Sequence, residues 1–410
     1  MTFEKIKDVA IVTPGTSPKG DLINSNGLGL PFFQGSKEFT ELYPVPERYT
    51  EYPVKVASSG DVLISVRAPV GEVNIAREDC SIGRGVMSVR AKKKSEQLFI
   101  FYFLKGLQGK WDSMGSTGSV FENLSTVALN NVDIPSGIRR EVIGEILFTI
   151  DQKIAMNNAL SKTLEDIAQA IFKSWFIDFD PVKAKMAREK PTGMDAATAA
   201  LFPDSMEESE LGLIPKGWNV AGLNEFAKPR KELAKVSSLD SQTNYVGLEH
   251  LPRNSLFFRT WSSAEKVQSG KSVFNPNDIL FGKLRPYFHK VVVSPVAGVC
   301  STDIVVIQSL DSKIDPYTAS LVNQDEFIAF VTNRSSGTRM PRTSWQEMCE
   351  FKIAFPGFEL MHKFNELMTP LFSFAMAAGL ESNCFDNIRE ALLPRLISGE
   401  LQIPDEMLAS

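Results

Sequence analysis

The sequence predicts an α+β protein in which two tandem mixed α/β domains form a pseudo-two-fold repeat, separated by two long antiparallel coiled-coil helices. Two observations predict this class. The chain resembles itself at an offset of 217 to 221 residues, and a heptad pattern of about 40 residues follows each repeated part. A chain of 410 residues is long enough for two domains that each have a hydrophobic core.

The internal repeat is visible as matching segments in the same order. At an offset of 217, Asp61–Leu63 meets Asp278–Leu280, and at 220, Cys80–Ser81 meets Cys300–Ser301. The offset drifts by only a few residues, as short loop insertions would produce. The pattern therefore indicates a duplication at low sequence identity.

Each half begins with short β-type segments and ends with a helical pattern. The apolar or alternating runs 61–66, 85–90, 290–293 and 303–307 are typical of strands bounded by turns. Proline and glycine at 134–137 and 355–357 precede the helical patterns. We therefore expect two β-rich globular parts, each followed by one long helix.

The two predicted helices carry apolar residues every seven positions, which favours coiled-coil packing of one helix against the other. Ile146, Leu160 and Ile167 accompany the first of these series. Asn157 either fixes the helix register within the contact or faces water at its edge; both interpretations remain open. The predicted contact residues are Ile143, Ile150, Asn157, Leu164, Ile171, Phe364, Leu371, Ala378, Phe385 and Leu392.

These patterns predict five segments. They are a first domain at 1–136, a first helix at 137–180, a linker at 181–212, a second domain at 213–357 and a second helix at 358–402. At a rise of about 1.5 Å per residue, 35 to 40 helical residues form a rod of roughly 50–60 Å. Antiparallel rods of that length would hold two domains more than one turn of duplex DNA apart, about 34–36 Å.

Charge and composition permit nucleic-acid binding without establishing it. The net charge is −5, but residues 1–140 hold 17 basic against 15 acidic residues, and residues 216–357 hold 17 against 13. Phosphate attraction depends on this local excess. No apolar run approaches the length of a membrane span, and an export signal is absent from the N-terminus, so a cytoplasmic protein is expected. Four distant cysteines and three histidines predict reduced thiols and no zinc site.

Sequence motifs for catalysis are missing. An adenine methyltransferase would need an Asn/Asp-Pro-Pro-aromatic loop, and an ATPase a G-x-x-x-x-G-K-[ST] loop; neither occurs. Pro203-Asp204 is not followed by the acidic-x-Lys pair of a nuclease. We therefore expect a chain without a catalytic centre and without a cofactor of its own.

Several stretches resemble the specificity subunits of type I restriction-modification systems, and with the repeat they cover nearly the whole chain. The most distinctive is Phe172–Lys185, at the end of the first helix. The others are Leu201–Ser205, Ser209–Trp218, Gly282–Tyr287, Gly115–Gly118 and Leu393–Leu401.

This resemblance implies that each globular part is a target recognition domain that reads one half of a split, asymmetric site in double-stranded DNA. It implies that the helices set the spacing and dock two methyltransferase subunits, which restriction subunits join. S-adenosylmethionine, ATP and magnesium would then belong to those partners. One departure is the short N-terminus, because the first half lacks a counterpart of Ile214–Trp218. We expect this departure to weaken the closure between chain ends that is typical of the family.

Base reading would rest on basic, amide and aromatic side chains in loops, since Arg and Lys can bind guanine O6 and N7 or hold phosphates. For each residue the alternative is a solvated surface charge. The candidates are Gln34, Lys37, Arg67, Arg84, Lys92, Lys93 and Lys94 in the first domain, and Tyr245, Lys283, Arg285, Tyr287, Lys290, Arg334, Arg339 and Arg342 in the second.

Trp175 and Phe176 end the first helix. They form either an apolar patch for a methyltransferase helix or part of the internal packing. Two further functions remain open for the whole chain. One is a coiled-coil scaffold or DNA-binding protein without sequence preference, and the other is a self-contained nuclease or methyltransferase with an unfamiliar motif.

Overall fold

The computed structural model describes residues 2–108, 111, 123–335, 337 and 340–403. The chain divides into two compact units. Unit 1 comprises Met1–Ile154 and Phe385–Ser410, and unit 2 comprises Ala155–Cys384. Helices and sheets are mixed throughout, which confirms the predicted combination of the two.

Unit 1 contains two four-stranded sheets and a two-stranded one, with orders β2-β9-β6-β7, β4-β3-β8-β5 and β1-β10. Its short helices are α1 (Ile6–Val9), α2 (Gln97–Gly106) and α3 (Thr126–Asn130). Its strands are β1 (Thr2–Lys5), β2 (Ala10–Pro14), β3 (Leu30–Phe33), β4 (Tyr49–Thr50), β5 (Val56–Ala57), β6 (Val62–Ser65), β7 (Val73–Ile75), β8 (Cys80–Ile82), β9 (Val86–Ala91) and β10 (Asp133–Ser136).

Unit 2 contains sheets with orders β14-β22-β19-β20, β15-β18-β21-β16-β17, β13-β23 and β11-β12. Its short helices are α5 (Asp180–Met186), α6 (Ala196–Ala200), α7 (Asp315–Val322), α8 (Asp325–Arg334) and α9 (Trp345–Cys349). Its strands are β11 (Met206–Ser209), β12 (Gly212–Pro215), β13 (Asn219–Gly222), β14 (Ala227–Pro229), β15 (Leu233–Ala234), β16 (Asn244–Val246), β17 (Ser262–Ser263), β18 (Lys271–Phe274), β19 (Ile279–Gly282), β20 (Val291–Val293), β21 (Gly298–Cys300), β22 (Ile304–Ser309) and β23 (Lys352–Phe355).

Three sheets of unit 2 follow the strand orders of unit 1. The order β14-β22-β19-β20 matches β2-β9-β6-β7 in chain sequence and in antiparallel pairing. In the second sheet, β16 runs parallel to β21 as β3 does to β8, and unit 2 adds β15 at the edge. The central strands β6 and β19 are buried along their whole length, which explains why they are continuous apolar runs in the sequence.

The long helices are α4 (Arg140–Phe176) and α10 (Phe358–Ile397). In unit 2 they run antiparallel, because Asn157 contacts Glu381 at 2.7 Å whereas Phe172 contacts Phe364, with ring centroids 5.7 Å apart. In unit 1, Asp151 of α4 forms an ion pair with Arg389 of α10. Among the described residues, none of the helices combines the length and the apolar character needed to cross a bilayer.

All ten predicted contact positions of the two helices are buried or half-buried. Asn157 is 3% exposed, so of its two interpretations the structure favours a place within the helix contact. Of the three residues expected to accompany the first heptad series, Ile146 is half-buried, but Leu160 and Ile167 are 46% and 43% exposed. The buried series of α4 instead continues four residues after each heptad position, at Leu147, Ile154, Ala168 and Trp175, with Ser161 half-buried.

Candidate nucleic-acid interface

In unit 1, loops at the ends of several strands are hydrogen-bonded to one another. The Gly83 N–H donates to the Phe33 carbonyl oxygen (2.8 Å), and the Val66 N–H donates to the Gly85 carbonyl oxygen (2.9 Å). These bonds join the ends of β3, β6 and β8 to the start of β9. We call the four loops 15–17, 34–37, 66–71 and 83–85 loop cluster 1.

Two predicted DNA-contact residues, Arg67 and Arg84, lie in loop cluster 1 with exposed side chains. The Arg84 N–H donates to the Ser17 hydroxyl oxygen at 3.2 Å, which fixes the turn that carries it. Neither guanidinium forms an ion pair within the described part of the chain. Both can therefore reach a phosphate or a base edge.

Gln34 and Lys37 lie in the same cluster, but other side chains already engage them. The Gln34 Oε1 atom accepts from Arg48 Nη1 (3.2 Å), and Arg48 also pairs with the buried Glu38 (2.7 Å). The exposed Lys37 ammonium lies 2.5 Å from a carboxylate oxygen of Glu47. Sequence reasoning missed Arg48, since an isolated arginine in a loop carries no signal of its partners.

The Lys92–Lys94 run is not brought to loop cluster 1. It follows the last residue of β9, whereas the cluster lies before the first residue of that strand, about 20 Å away for six extended residues. The Lys92 ammonium donates to the carbonyl oxygens of Lys7 and Asp8, at 2.9 and 3.0 Å. This contact stabilises the end of α1 and gives Lys92 a structural role.

Unit 2 repeats the same backbone contacts. The Ser301 N–H donates to the Val246 carbonyl oxygen (2.9 Å), and the Lys283 N–H donates to the Asp303 carbonyl oxygen (2.9 Å). These bonds again link the loops after the strands that correspond to β3, β6 and β8. We call the loops 247–250, 283–288, 301–303 and 340–343 loop cluster 2.

Four predicted DNA-contact residues lie in loop cluster 2. Lys283 and Arg285 are half-buried, and Arg285 has a left-handed backbone conformation with φ of 52°. Tyr287 is 50% exposed. The Arg342 side chain is exposed and lies 3.2 Å from the Asp303 carboxylate.

Tyr245 and Lys290 lie beside this cluster and contact the protein. The Tyr245 ring is half-buried with its centroid 6.1 Å from that of His250. The Lys290 ammonium donates to the Leu248 carbonyl oxygen, and burial lowers the pKa of Lys290. Lys290 therefore holds the loop at 247–250 in place.

The two remaining predicted DNA-contact residues are Arg334 and Arg339. Arg334 ends α8, pairs with Glu350 and lies over the Phe330 ring at 4.8 Å. Arg339 lies outside the described residues. Arg253 is not among the residues predicted from the sequence, and its guanidinium lies 4.0 Å from the centre of the Phe288 ring.

Trp175 and Phe176 are 5% and 4% exposed and belong to the core of unit 2. The Trp175 ring lies 5.3 Å from Phe202 and 5.9 Å from Phe364, measured between centroids. These contacts favour internal packing over the alternative of a surface patch for a partner helix.

The possible metal-ligating and reactive side chains in the described part of the chain differ in position and burial. No group of three or more His, Cys, Asp or Glu side chains there could hold a metal ion. Burial raises the pKa of both Cys80 and Cys300 to about 12, so these thiols stay protonated at neutral pH. The four cysteines are free thiols.

Residues 1–166 match the family model described as the type I restriction modification DNA specificity domain. Over 98% of its length the chain is 24% identical to the MjaIX specificity subunit of a type I restriction enzyme from Methanocaldococcus jannaschii, of which the match covers 94%. The chain is thus similar, over nearly its whole length, to the specificity subunit of a type I restriction enzyme.

Two further proteins are similar to part or all of the chain. The MjaX specificity subunit of M. jannaschii is 38% identical over 160 residues, a match that covers 38% of the chain and 37% of the relative. The crystal structure of the type I S subunit from M. genitalium has the same fold, with a TM-score of 0.62, 15% identity and coverage of 97% and 96% of the two chains.

Proposed function

We propose that this chain is the specificity subunit of a type I restriction-modification complex and directs that complex to a split, asymmetric site in double-stranded DNA. Each of two target recognition domains, 1–136 and 213–357, reads one half of the site. The coiled-coil helices of segments 137–180 and 358–402 set the gap between the halves, and 181–212 is a linker. The observation that carries this proposal is that loop clusters 1 and 2 have matching backbone contacts but different side chains. A repeated scaffold with different exposed groups suits two readers of different sequences.

The chain itself performs no catalytic step in this proposal. Two methyltransferase subunits dock on the helices, and restriction subunits join that core. S-adenosylmethionine, ATP and magnesium bind those partners. The absence of methyltransferase and ATPase motifs from the sequence supports this division of labour.

Methylation mapping tests the proposal. The genome of a host carrying the complete system should show methylation at two short sequences separated by a gap of constant length. Deletion of this gene should abolish methylation at that motif, and a plasmid copy should restore it. Replacement of residues 213–357 by the corresponding segment of another family member should change one half of the motif only. Methylation at a short continuous palindrome would contradict the proposal.

A further inference from the structure

The Arg342–Asp303 ion pair lies in a part of loop cluster 2 where hydrogen bonds fix the backbone around both residues. The Asp303 N–H donates to the Ser301 hydroxyl (3.2 Å), and its carbonyl oxygen accepts from Lys283 (2.9 Å). The Asp303 carboxylate, 29% exposed, is therefore held on a fixed turn. It lies 3.2 Å from Nη2 of Arg342.

The backbone on both sides of Arg342 is fixed as well. Arg342 forms a β-bridge with Leu284, and the Thr343 N–H donates to the Lys283 carbonyl oxygen at 3.0 Å. The Arg342 side chain is 53% exposed, and a guanidinium has five N–H donors, so it can still donate to a ligand while Nη2 lies beside Asp303. The arginine is thus oriented before any ligand arrives.

Unit 1 has the same backbone contacts without this ion pair. Arg67 forms the corresponding β-bridge with Asn123, so Asn123 takes the place of Arg342. Gly85 takes the place of Asp303, and a Cβ atom there would lie 2.0 Å from the Gln34 carbonyl oxygen. An aspartate therefore does not fit at position 85, so the ion pair distinguishes the second loop cluster from the first.

We propose that Arg342 reads a guanine in the major groove through N7 and O6, and that Asp303 is the positioning residue that orients it. This inference rests on the proposed DNA-reading function. A planar guanidinium matches the two acceptors of guanine, whereas a carboxylate beside it repels a phosphate. The ion pair therefore favours a base edge over the DNA backbone as the ligand of Arg342.

The test uses the full chain in complex with its methyltransferase subunits and duplexes that carry the mapped site. Each guanine of the two half-sites is replaced in turn by 7-deazaguanine, which lacks the N7 acceptor. At one position the wild-type complex should bind about tenfold to a hundredfold more weakly at constant salt. With Arg342→Ala, the intact site should bind equally weakly, and 7-deazaguanine at that position should have no further effect.

The positioning role of Asp303 is tested by the preference of the complex for guanine over 7-deazaguanine. Asp303→Ala should lower the preference for guanine over 7-deazaguanine at that position by about tenfold, while Asp303→Asn, which keeps an acceptor oxygen, should retain most of it. Thermal unfolding of each variant excludes a simple loss of fold. Glu400→Ala is the matched control, because it removes a carboxylate that also lies 3.2 Å from an arginine, Arg395, in an exposed pair.

The possible failures are distinct. If Arg342→Ala weakens binding to specific and unrelated duplexes equally, Arg342 is a phosphate ligand and the inference is overturned, although split-site methylation would still support the proposed function. If Arg342 couples to none of the guanines, or the site has none, the inference is overturned in the same way. A complex that methylates no split motif would overturn both.

Discussion

Asp61 and Asp278 are aligned by the sequence repeat, and each binds an arginine through both carboxylate oxygens. The two arginines come from different places in the sheet. The Asp61 carboxylate receives Nε and Nη2 of Arg90 at 2.7 and 2.8 Å, and Asp278 receives the same atoms of Arg230 at 2.8 and 3.1 Å. Arg90 belongs to β9, whereas Arg230 follows β14, the neighbour of the corresponding strand. Each aspartate is buried and therefore requires a charged partner. The arginine can be supplied by the adjacent strand, as in unit 1, or by the strand beyond it, as in unit 2.

Asp315 at the start of α7 provides a test by pH. Burial raises its pKa to about 6, and the charges of Asp278 and Asp311 add to the effect. Since the folded chain holds this proton to higher pH than the unfolded chain, the free energy of unfolding should fall as pH rises from about 4 to 6. Asp315→Asn should remove roughly 2 kcal/mol of that fall, measured by urea unfolding at several pH values.

Asp240→Asn is the control with the opposite sign. Hydrogen bonds from Thr243 lower the pKa of Asp240, so its contribution is present above its ordinary pKa and is lost as pH falls. An unchanged pH dependence in the Asp315→Asn variant would show that Asp315 ionises normally in the folded chain.

In unit 2, small residues line part of the contact between α4 and α10. The Ser161 hydroxyl donates to the Ala375 carbonyl oxygen at 3.0 Å, and Ala375 is fully buried. Glu165 of the same helix accepts from the Leu256 N–H (2.8 Å), which ties α4 to the loop before β17. Burial raises the pKa of Glu165. The helices therefore hold each other and the sheets of unit 2.

Ala375→Leu should destabilise unit 2 by about 1–3 kcal/mol, because the larger side chain must force the helices apart. Ala377→Leu is the matched control, since Ala377 lies two residues away on the same helix and is exposed. Chemical unfolding of the purified chain measures both. Equal stability of the two variants would show that this contact tolerates a larger spacing.

The whole molecule is proposed to measure a gap in DNA with the length of α4 and α10. The two units meet along the chain at Ile154 and Ala155 in α4, and at Cys384 and Phe385 in α10. A complete heptad inserted at both points adds about 10 Å of helix and keeps the apolar repeat in phase.

This double insertion should lengthen the gap of the methylated motif by up to about three base pairs and leave both half-sites unchanged, since the loop clusters are untouched. Methylation mapping of a host that carries only the altered gene measures the gap. An insertion of seven residues into the exposed stretch 187–193 serves as the control and should leave the gap as it was. The same gap in all three proteins would contradict the role of the helices.

Sequence patterns were informative where one repeating rule covers many residues. The heptad positions, such as Ile143 and Phe364, are buried or half-buried as expected, and the strand runs at 61–66 and 303–307 form β6 and β22. Two of the three accompanying residues were predicted wrongly, since Leu160 and Ile167 are exposed to solvent. Beside each heptad position, the second buried residue can lie either three or four positions further along the helix. The packing of the partner helix decides which of the two is buried.

The order of residues along the chain thus predicted the helices and the central strands, because a periodic pattern is formed by residues that are close in sequence. The candidate site depended on long-range folding. Arg342 meets Asp303, and Gln34 meets Arg48, only because separate strands end at the same place. The Lys92–Lys94 run lies at the far end of β9 for the same reason. Contacts between loops depend on how strands pair, and that pairing leaves no local pattern in the sequence.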